Sequence, residues 1–206
     1  MENLENLKDL WKNQEESKIR FSQDDISQMV QKKSTSIVKW ILVISLLEFI
    51  LPNLLFVFTD FDSTRQFYTT YGLSNIMMFY SVIHIIVIIG FIYIFYKNYR
   101  NINVGSTVKI LLSNILKTRR TVKHYIYYNI TIFGIIGLTM LQKVYSSEEY
   151  QNKLSEETSM VQIWIISIIL LSLVLFVFWV FYRIIYGFFL KKLKKNYATL
   201  LNQENL

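Results

Sequence analysis

Residues 160–190 read MVQIWIISIILLSLVLFVFWVFYRIIYGFFL, and this stretch decides the fold class. It holds about 30 residues with one charge, Arg183, and would be ~45 Å long as a helix. A membrane with a hydrocarbon core of ~30 Å needs about 20 apolar residues in a helical span. We therefore predict a membrane-spanning helix that leaves the hydrocarbon near Arg183.

Three more apolar runs precede this one in a chain of 206 residues, of which 52% are hydrophobic. Apolar runs in lipid must satisfy their backbone groups internally, so each is expected to be a helix. The sequence therefore predicts an all-α integral membrane four-helix bundle made of two hairpins. The predicted spans are 37–58, 75–96, 125–142 and 160–190, within a domain covering 36–190.

The basic residues mark the predicted orientation. Seven Lys and Arg residues lie in 1–40, seven in 97–123 and five from Arg183 onward. The two remaining loops hold three between them. Because cytoplasmic flanks carry the excess of Lys and Arg, we expect both termini and the loop 97–124 on the cytoplasmic side of the membrane. We interpret the net charge of +7 as the result of these orienting basic residues, and we expect no nucleic-acid partner.

The predicted cytoplasmic segments are 1–35 and the tail 191–206. In the first, Leu4, Leu7 and Trp11 recur at spacings of three and four, which predicts a short amphipathic helix. We interpret these three residues as a candidate face for a cytoplasmic protein partner. A solvated stalk leading into the first span is the alternative.

The loop 97–124 combines an apolar stripe with many basic residues. The apolar positions with helical spacing are Val104, Val108, Leu111, Leu112 and Ile115. The basic positions are Lys109, Lys117, Arg119, Arg120 and Lys123. This pattern predicts a helix that lies on the anionic lipids of the inner leaflet. The alternative is that the stripe packs against the cytoplasmic ends of the chain's own bundle.

Two ionisable residues interrupt the spans. Glu48 lies near the middle of the first predicted span and His84 at a similar predicted depth in the second. A charge at the bilayer centre costs at least ~2.5 to 3.5 kcal/mol, so Glu48 is expected to be neutral or paired. We predict an intramembrane polar pair of Glu48 and His84, either a structural hydrogen bond or a proton-carrying site. Pro52, in the outer half of the same span, predicts a kink or the end of the helix.

Three stretches resemble a known family: Leu7 to Gln14 (LKDLWKNQ), Lys32 to Phe49 (KKSTSIVKWILVISLLEF) and Ile115 to Tyr125 (ILKTRRTVKHY). The family consists of small four-span inner-membrane proteins of Gram-negative bacteria with AT-rich genomes. The resemblance implies that this chain lies in the inner membrane of a bacterium, and it implies no fixed activity. Its members often carry the label of carotenoid cleavage oxygenases. Those enzymes resemble β-propellers that hold iron with four histidines, whereas this chain has only two, His84 and His124. We reject the label.

The pattern favours a non-enzymatic, membrane-anchored regulator or adaptor with no cofactor and no metal. The chain contains no cysteine, which excludes thiolate nucleophiles and cysteine-ligated metals. The alternative is a small proton- or cation-linked transporter or channel subunit that uses Glu48 and His84. Such a subunit would form a homo-oligomer, because four helices leave little room for a pore. A membrane-embedded enzyme ranks third, since the spans offer no nucleophile with a base.

Overall fold

A computed structural model describes residues 23–103, 108–152 and 159–204. The proposed partner face of Leu4, Leu7 and Trp11 lies outside these residues. The described part of the chain is entirely helical in its regular structure, which confirms the predicted all-α class. Its helices are α1 (Gln23–Phe56), α2 (Phe61–Thr70), α3 (Ser74–Asn103), α4 (Val108–Tyr145), α5 (Glu148–Gln151) and α6 (Met160–Glu204).

The four long helices, α1, α3, α4 and α6, form an antiparallel up-down-up-down bundle. α1 packs mainly against α3 and α6, and α4 packs against the same two helices from the other side. Each of the four is long and apolar enough to cross a membrane. The predicted architecture of two packed hairpins is confirmed. The first helix begins well before the apolar run, so the amphipathic residues around Val30 continue into the first span as one helix.

The basic loop is not a separate helix lying on a membrane. α4 runs without a break from Val108 to Tyr145. Leu111 and Ile115 are fully buried in the common core, so the stripe packs on the chain's own bundle. The structure thus favours the alternative, in which the stripe packs on the bundle, and contact of the basic side chains with inner-leaflet lipid stays a prediction. Lys109 and Lys123 are about 21 Å apart along the α4 axis, so the five basic side chains cannot all lie in one plane parallel to a membrane that α4 crosses.

The best-packed region lies at the end of the bundle that carries the basic residues. We call this region the basic extension and define it as residues 23–40, 97–103, 108–123 and 187–204. Its interior holds ten buried apolar side chains: Val30, Ile37, Val38, Ile102, Leu111, Leu112, Ile115, Val122, Leu193 and Leu200. A buried apolar side chain contributes ~1.5 to 3 kcal/mol, so this interior is the main source of packing stability.

Polar side chains link the helices inside the basic extension. The Gln31 amide donates to the Ile102 carbonyl at 3.0 Å, which joins α1 to α3. The Asn196 amide donates to the Ser34 hydroxyl at 2.9 Å, which joins α6 to α1. Such bonds satisfy buried polar groups and fix the register in which the helices pack.

The opposite end of the bundle exposes its hydrophobic side chains. In the most apolar part of α6, 0% of the residues are buried. Exposed aromatic side chains such as Phe176 and exposed aliphatic ones such as Ile169 cover its surface. A soluble protein rarely exposes an apolar surface of this extent. Burial therefore distinguishes this end of the bundle from the basic extension. Its exposed surface is apolar and suited to lipid, and we call it the lipid-suited part.

α1 is shorter than the other long helices at the apolar end. It ends at Phe56, about 12 Å beyond Glu48, whereas α4 continues about 30 Å beyond Tyr125, which contacts Glu48. The short helix α2 packs on α3 in this region.

The two ends of α2 are defined by local hydrogen bonds. Asp60 caps the helix, with its carboxylate accepting from the amide of Asp62 at 3.0 Å. At the other end the amide of Leu73 donates to the carbonyl of Tyr68 at 2.8 Å, and Gly72 has φ of +62°. This is a Schellman motif, in which the left-handed residue favours glycine. Leu73, fully buried, anchors the turn into α3.

Two glycines of α4 face α6 and provide a matched pair of variants. A Cβ added at Gly137 would lie 2.6 Å from Cδ1 of Leu171, whereas one added at Gly134 would meet Cδ1 of Leu175 at an ordinary 3.4 Å. We expect Gly134→Ala to raise the free energy of unfolding by about 0.5 to 1 kcal/mol, because alanine favours the helix. Gly137→Ala should lose this gain, because Leu171 must move. Unfolding in detergent measures both, and equal gains would show that α4 and α6 are farther apart than described.

Candidate functional site

A carboxyl group surrounded by tyrosines lies where the basic extension meets the lipid-suited part of the bundle. The Tyr125 hydroxyl of α4 donates a hydrogen bond to Oε2 of Glu48, on α1, at 2.6 Å. Tyr182 and Tyr186, on α6, complete the polar part of the site and are both buried. We call Glu48, Tyr125, Tyr182 and Tyr186 the tyrosine cluster.

Aromatic packing holds Tyr125 in place from two sides. Phe91 and Phe95, on α3, meet its ring edge-on with centroid distances of 5.4 and 5.5 Å. The rings of Tyr182 and Tyr186 approach it at 6.4 and 5.9 Å. Edge-to-face pairs of this kind add about 0.5 to 1.5 kcal/mol each beyond area burial. The site thus joins all four long helices in one layer.

Two polar atoms of the tyrosine cluster lack a hydrogen bond. Oε1 of Glu48 and the hydroxyl oxygen of Tyr186 are both buried and have no partner of good geometry among the described residues. The two side chains are neighbours, and the Tyr186 hydroxyl lies near the Glu48 carboxyl without the geometry of a well-formed hydrogen bond. Buried groups without partners are rare in folded proteins. This pair therefore marks a point of the packed interior where polar groups are incompletely satisfied.

The predicted pair of Glu48 and His84 is not formed. His84 stacks on Tyr128, with ring centroids 5.8 Å apart, and its Nδ1 lies 3.4 Å from the Tyr128 hydroxyl. Along α3 it lies about 10 Å outward from Phe91, which packs on the partner of Glu48. The expectation of a common depth is wrong because α1 is displaced toward the basic end relative to α3.

His84 instead lines a cavity of about 760 Å³ between α2, α3 and α4. Arg65 of α2 lines the same cavity.

The Ser63 hydroxyl and the amides of Ser63 and Asp62 hold the pKa of the capping Asp60 below its usual value. Because the pKa of Asp60 is lowered in the folded protein, the cap stabilises α2 at pH values above the ordinary pKa of aspartate. This stabilisation is lost as the pH falls through the lowered pKa of Asp60.

A family model for a domain of unknown function, DUF8845, matches residues 24–205. The match includes all of the long helices except Gln23, the first residue of α1, and the whole tyrosine cluster. The chain belongs to the DUF8845 family. No curated protein and no solved structure matches it.

Pro52 lies near the end of α1 in this DUF8845 chain. The helix continues four residues past it to Phe56, so proline marks the last turn rather than the middle of a span. Proline removes the amide that would bond the carbonyl of Glu48, and the next side chain, Asn53, donates to the carbonyl of Phe49 at 2.6 Å. Proline therefore leaves the carbonyl of Glu48 without its usual helical donor.

The predicted basic residues occupy different surroundings in α4. Lys109, Lys117, Arg120 and Lys123 are exposed, whereas Arg119 is half-buried and its Nε has no partner among the described residues. Across the described ranges no three His, Asp or Glu side chains are grouped so that they could hold a metal ion.

Sequence reasoning missed the tyrosines that contact Glu48. Tyr182 and Tyr186 are four residues apart and so share one face of α6, and this spacing is the signal that could have found them. Tyr125 lies at the start of an apolar run, and its contact with Glu48 depends on the register between α1 and α4. Local sequence patterns do not indicate this register.

Proposed function

We propose that this DUF8845 chain is a non-enzymatic membrane adaptor, whose spans hold the basic extension at the cytoplasmic surface of the inner membrane for a protein partner. One observation carries the proposal: each long helix continues without a break from the lipid-suited part into the basic extension, where the packed core lies. A protein that only anchors itself needs no packed extension of this kind.

The charge of the basic extension favours an acidic partner. Lysines on α6 and α4 are exposed over its whole length, including Lys109 and Lys117 near one end of α4 and Lys194 on α6. Lys109 lies about 24 Å from Tyr125 along the helix axis, farther than the ~8 Å over which physiological salt screens charges. Lysines this far from the tyrosine layer support contact with a protein, while Lys123, close to it, is suited to anionic headgroups.

The tyrosine cluster supports the adaptor by fixing how the helices pass from one part to the other. A hydrogen bond between α1 and α4, surrounded by rings from α3 and α6, specifies the register of all four helices at this layer. Rigid presentation of a binding surface lowers the entropic cost of association.

Site-specific photocrosslinking in living cells tests the adaptor proposal. A photoreactive amino acid at Lys117 or Lys194 should give a protein adduct of one defined mass, and at Ile166 or Phe176, on the exposed apolar surface, it should not. The captured protein should then bind the purified chain, with an affinity that falls as salt rises. Adducts with lipid alone at all four positions would refute the adaptor.

A proton-linked transporter is the second candidate, and the unpaired Oε1 of Glu48 favours it. The Glu48→Gln variant separates the two. If Glu48 is structural, the amide that replaces its carboxyl still accepts a hydrogen bond from Tyr125, and the free energy of unfolding should change by less than about 1 kcal/mol with no change in proton flux. If Glu48 carries protons, pH-driven uptake into proteoliposomes should disappear while the protein still folds and inserts. We expect the structural result, with flux equal to that of protein-free vesicles before and after substitution.

A further inference from the structure

The cavity between α2, α3 and α4 combines a charged rim with an apolar interior. α2 contributes Arg65 and Tyr68, α3 contributes Ser74 and His84, and α4 contributes only apolar side chains. Its apolar lining residues are Phe61, Met77, Met78, Ile132, Phe133, Ile136 and Met140. Its volume of about 760 Å³ lies within the range of small-molecule sites, roughly 300 to 1,000 Å³.

The depth of the cavity matches one lipid leaflet. Ser74 begins α3 and His84 lies ten residues further along it, which is about 15 Å. Half of a ~30 Å hydrocarbon core is the same length. A chain of methylene groups that enters beside Ser74 would therefore reach His84 and Phe133 with its far end.

Arg65 is the feature that indicates the charge of the occupant. Arg65 is exposed at the rim and is the one permanently charged side chain among the described residues that line this mostly apolar cavity. A guanidinium carries five donors and no acceptor, and it pairs best with carboxylate or phosphate oxygens. Among the residues that the structure describes, no acidic side chain lines the cavity to neutralise it.

We propose that this cavity binds a monoanionic acyl amphiphile, with the acidic headgroup on Arg65 and the acyl chain along Ile132 and Ile136 toward His84. The site is independent of the adaptor surface, which lies at the opposite end of the bundle. The headgroup chemistry fits a fatty-acid carboxylate or the phosphate of a single-chain phospholipid.

Equilibrium binding to the full chain in neutral nanodiscs tests the site, with radiolabelled palmitate and palmitoyl lysophosphatidylglycerol as separate probes. Wild type should bind one or both, in preference to methyl palmitate. Arg65→Gln should raise the Kd of the bound acid about tenfold or more and remove the preference over the ester, because a charge-assisted pair is lost. Lys143→Gln, which removes a basic residue that does not line the cavity, should leave Kd unchanged.

A second variant tests the acyl part. Ile136→Trp puts an indole ring in the path of the acyl chain and should raise the Kd about tenfold or more, whereas Leu138→Trp, at an exposed position of the same helix, should leave it unchanged. The preferred probe identifies the headgroup, carboxylate or phosphate. Equal Kd values for wild type and Arg65→Gln, or for wild type and Ile136→Trp, would overturn the proposal.

Discussion

Ile115→Ala is expected to lower the free energy of unfolding by about 2 to 5 kcal/mol, because Ile115 is fully buried in the core of the basic extension. The neighbouring Leu116 is the control. It is 41% exposed, so Leu116→Ala should cost less than about 1 kcal/mol. Reversible unfolding of the purified protein in detergent by a chemical denaturant measures both values.

The comparison decides between the two interpretations of the basic segment of α4. A helix that lies on lipid would tolerate truncation of Ile115, because lipid fills the space that the side chain leaves. A helix packed inside the bundle leaves a cavity, with the cost that accompanies it. Equal and small effects at both positions would contradict a packed core in the basic extension.

Tyr125→Phe is expected to lower the free energy of unfolding by about 1 to 3 kcal/mol, because it leaves the buried carboxyl of Glu48 without its donor. Tyr182→Phe removes the same atom from a neighbouring ring that gives no hydrogen bond to Glu48. Its effect should be clearly smaller, under about 1 kcal/mol. Thermal unfolding in detergent compares the two.

A double variant separates the hydrogen bond from other effects of the tyrosine. Adding Glu48→Leu to Tyr125→Phe removes both partners, and replacing both by apolar groups is nearly neutral in other proteins. The double variant should therefore recover much of the stability that Tyr125→Phe loses. Additive losses would mean that the hydroxyl of Tyr125 stabilises the bundle through some contact other than the carboxyl of Glu48.

The helices could be predicted from the chain because the signal is local. The stretch from Met160 to Leu190 is too long and too apolar for anything but a span, and the three other runs follow the same rule. α1 includes every residue from Gln23 to Phe56, so helical structure extends well before the apolar run of the first span. Hydrophobic periodicity carries this information without any knowledge of tertiary contacts.

The partner of Glu48 could not be predicted, because it depends on the register between helices. The expectation of His84 assumes that apolar runs are centred at one depth. α1 ends shortly after Pro52, and its inner half packs in the basic extension, which brings Glu48 to the level of Tyr125 instead. Contacts of this kind are set by side-chain packing between helices that are distant along the chain.

The cavity between α2, α3 and α4 also depends on a tertiary feature. In the sequence, Arg65 is only a basic residue of a short loop, and His84 is only a possible partner for Glu48. The early end of α1 and the capped helix α2 bring the two together around one space. Neither the length of the loop nor its composition indicates this arrangement.

We propose that the basic extension lies on the cytoplasmic side and continues the four spans. The chain has no cysteine, so single cysteines can be introduced at Thr69, Lys117, Asn152 and Asn202 and labelled with a membrane-impermeant maleimide. All four residues are exposed, so burial will not prevent labelling. In intact spheroplasts we predict labelling at Thr69 and Asn152 only, with Lys117 and Asn202 labelled after permeabilisation. Labelling of Lys117 or Asn202 in intact spheroplasts would contradict the account.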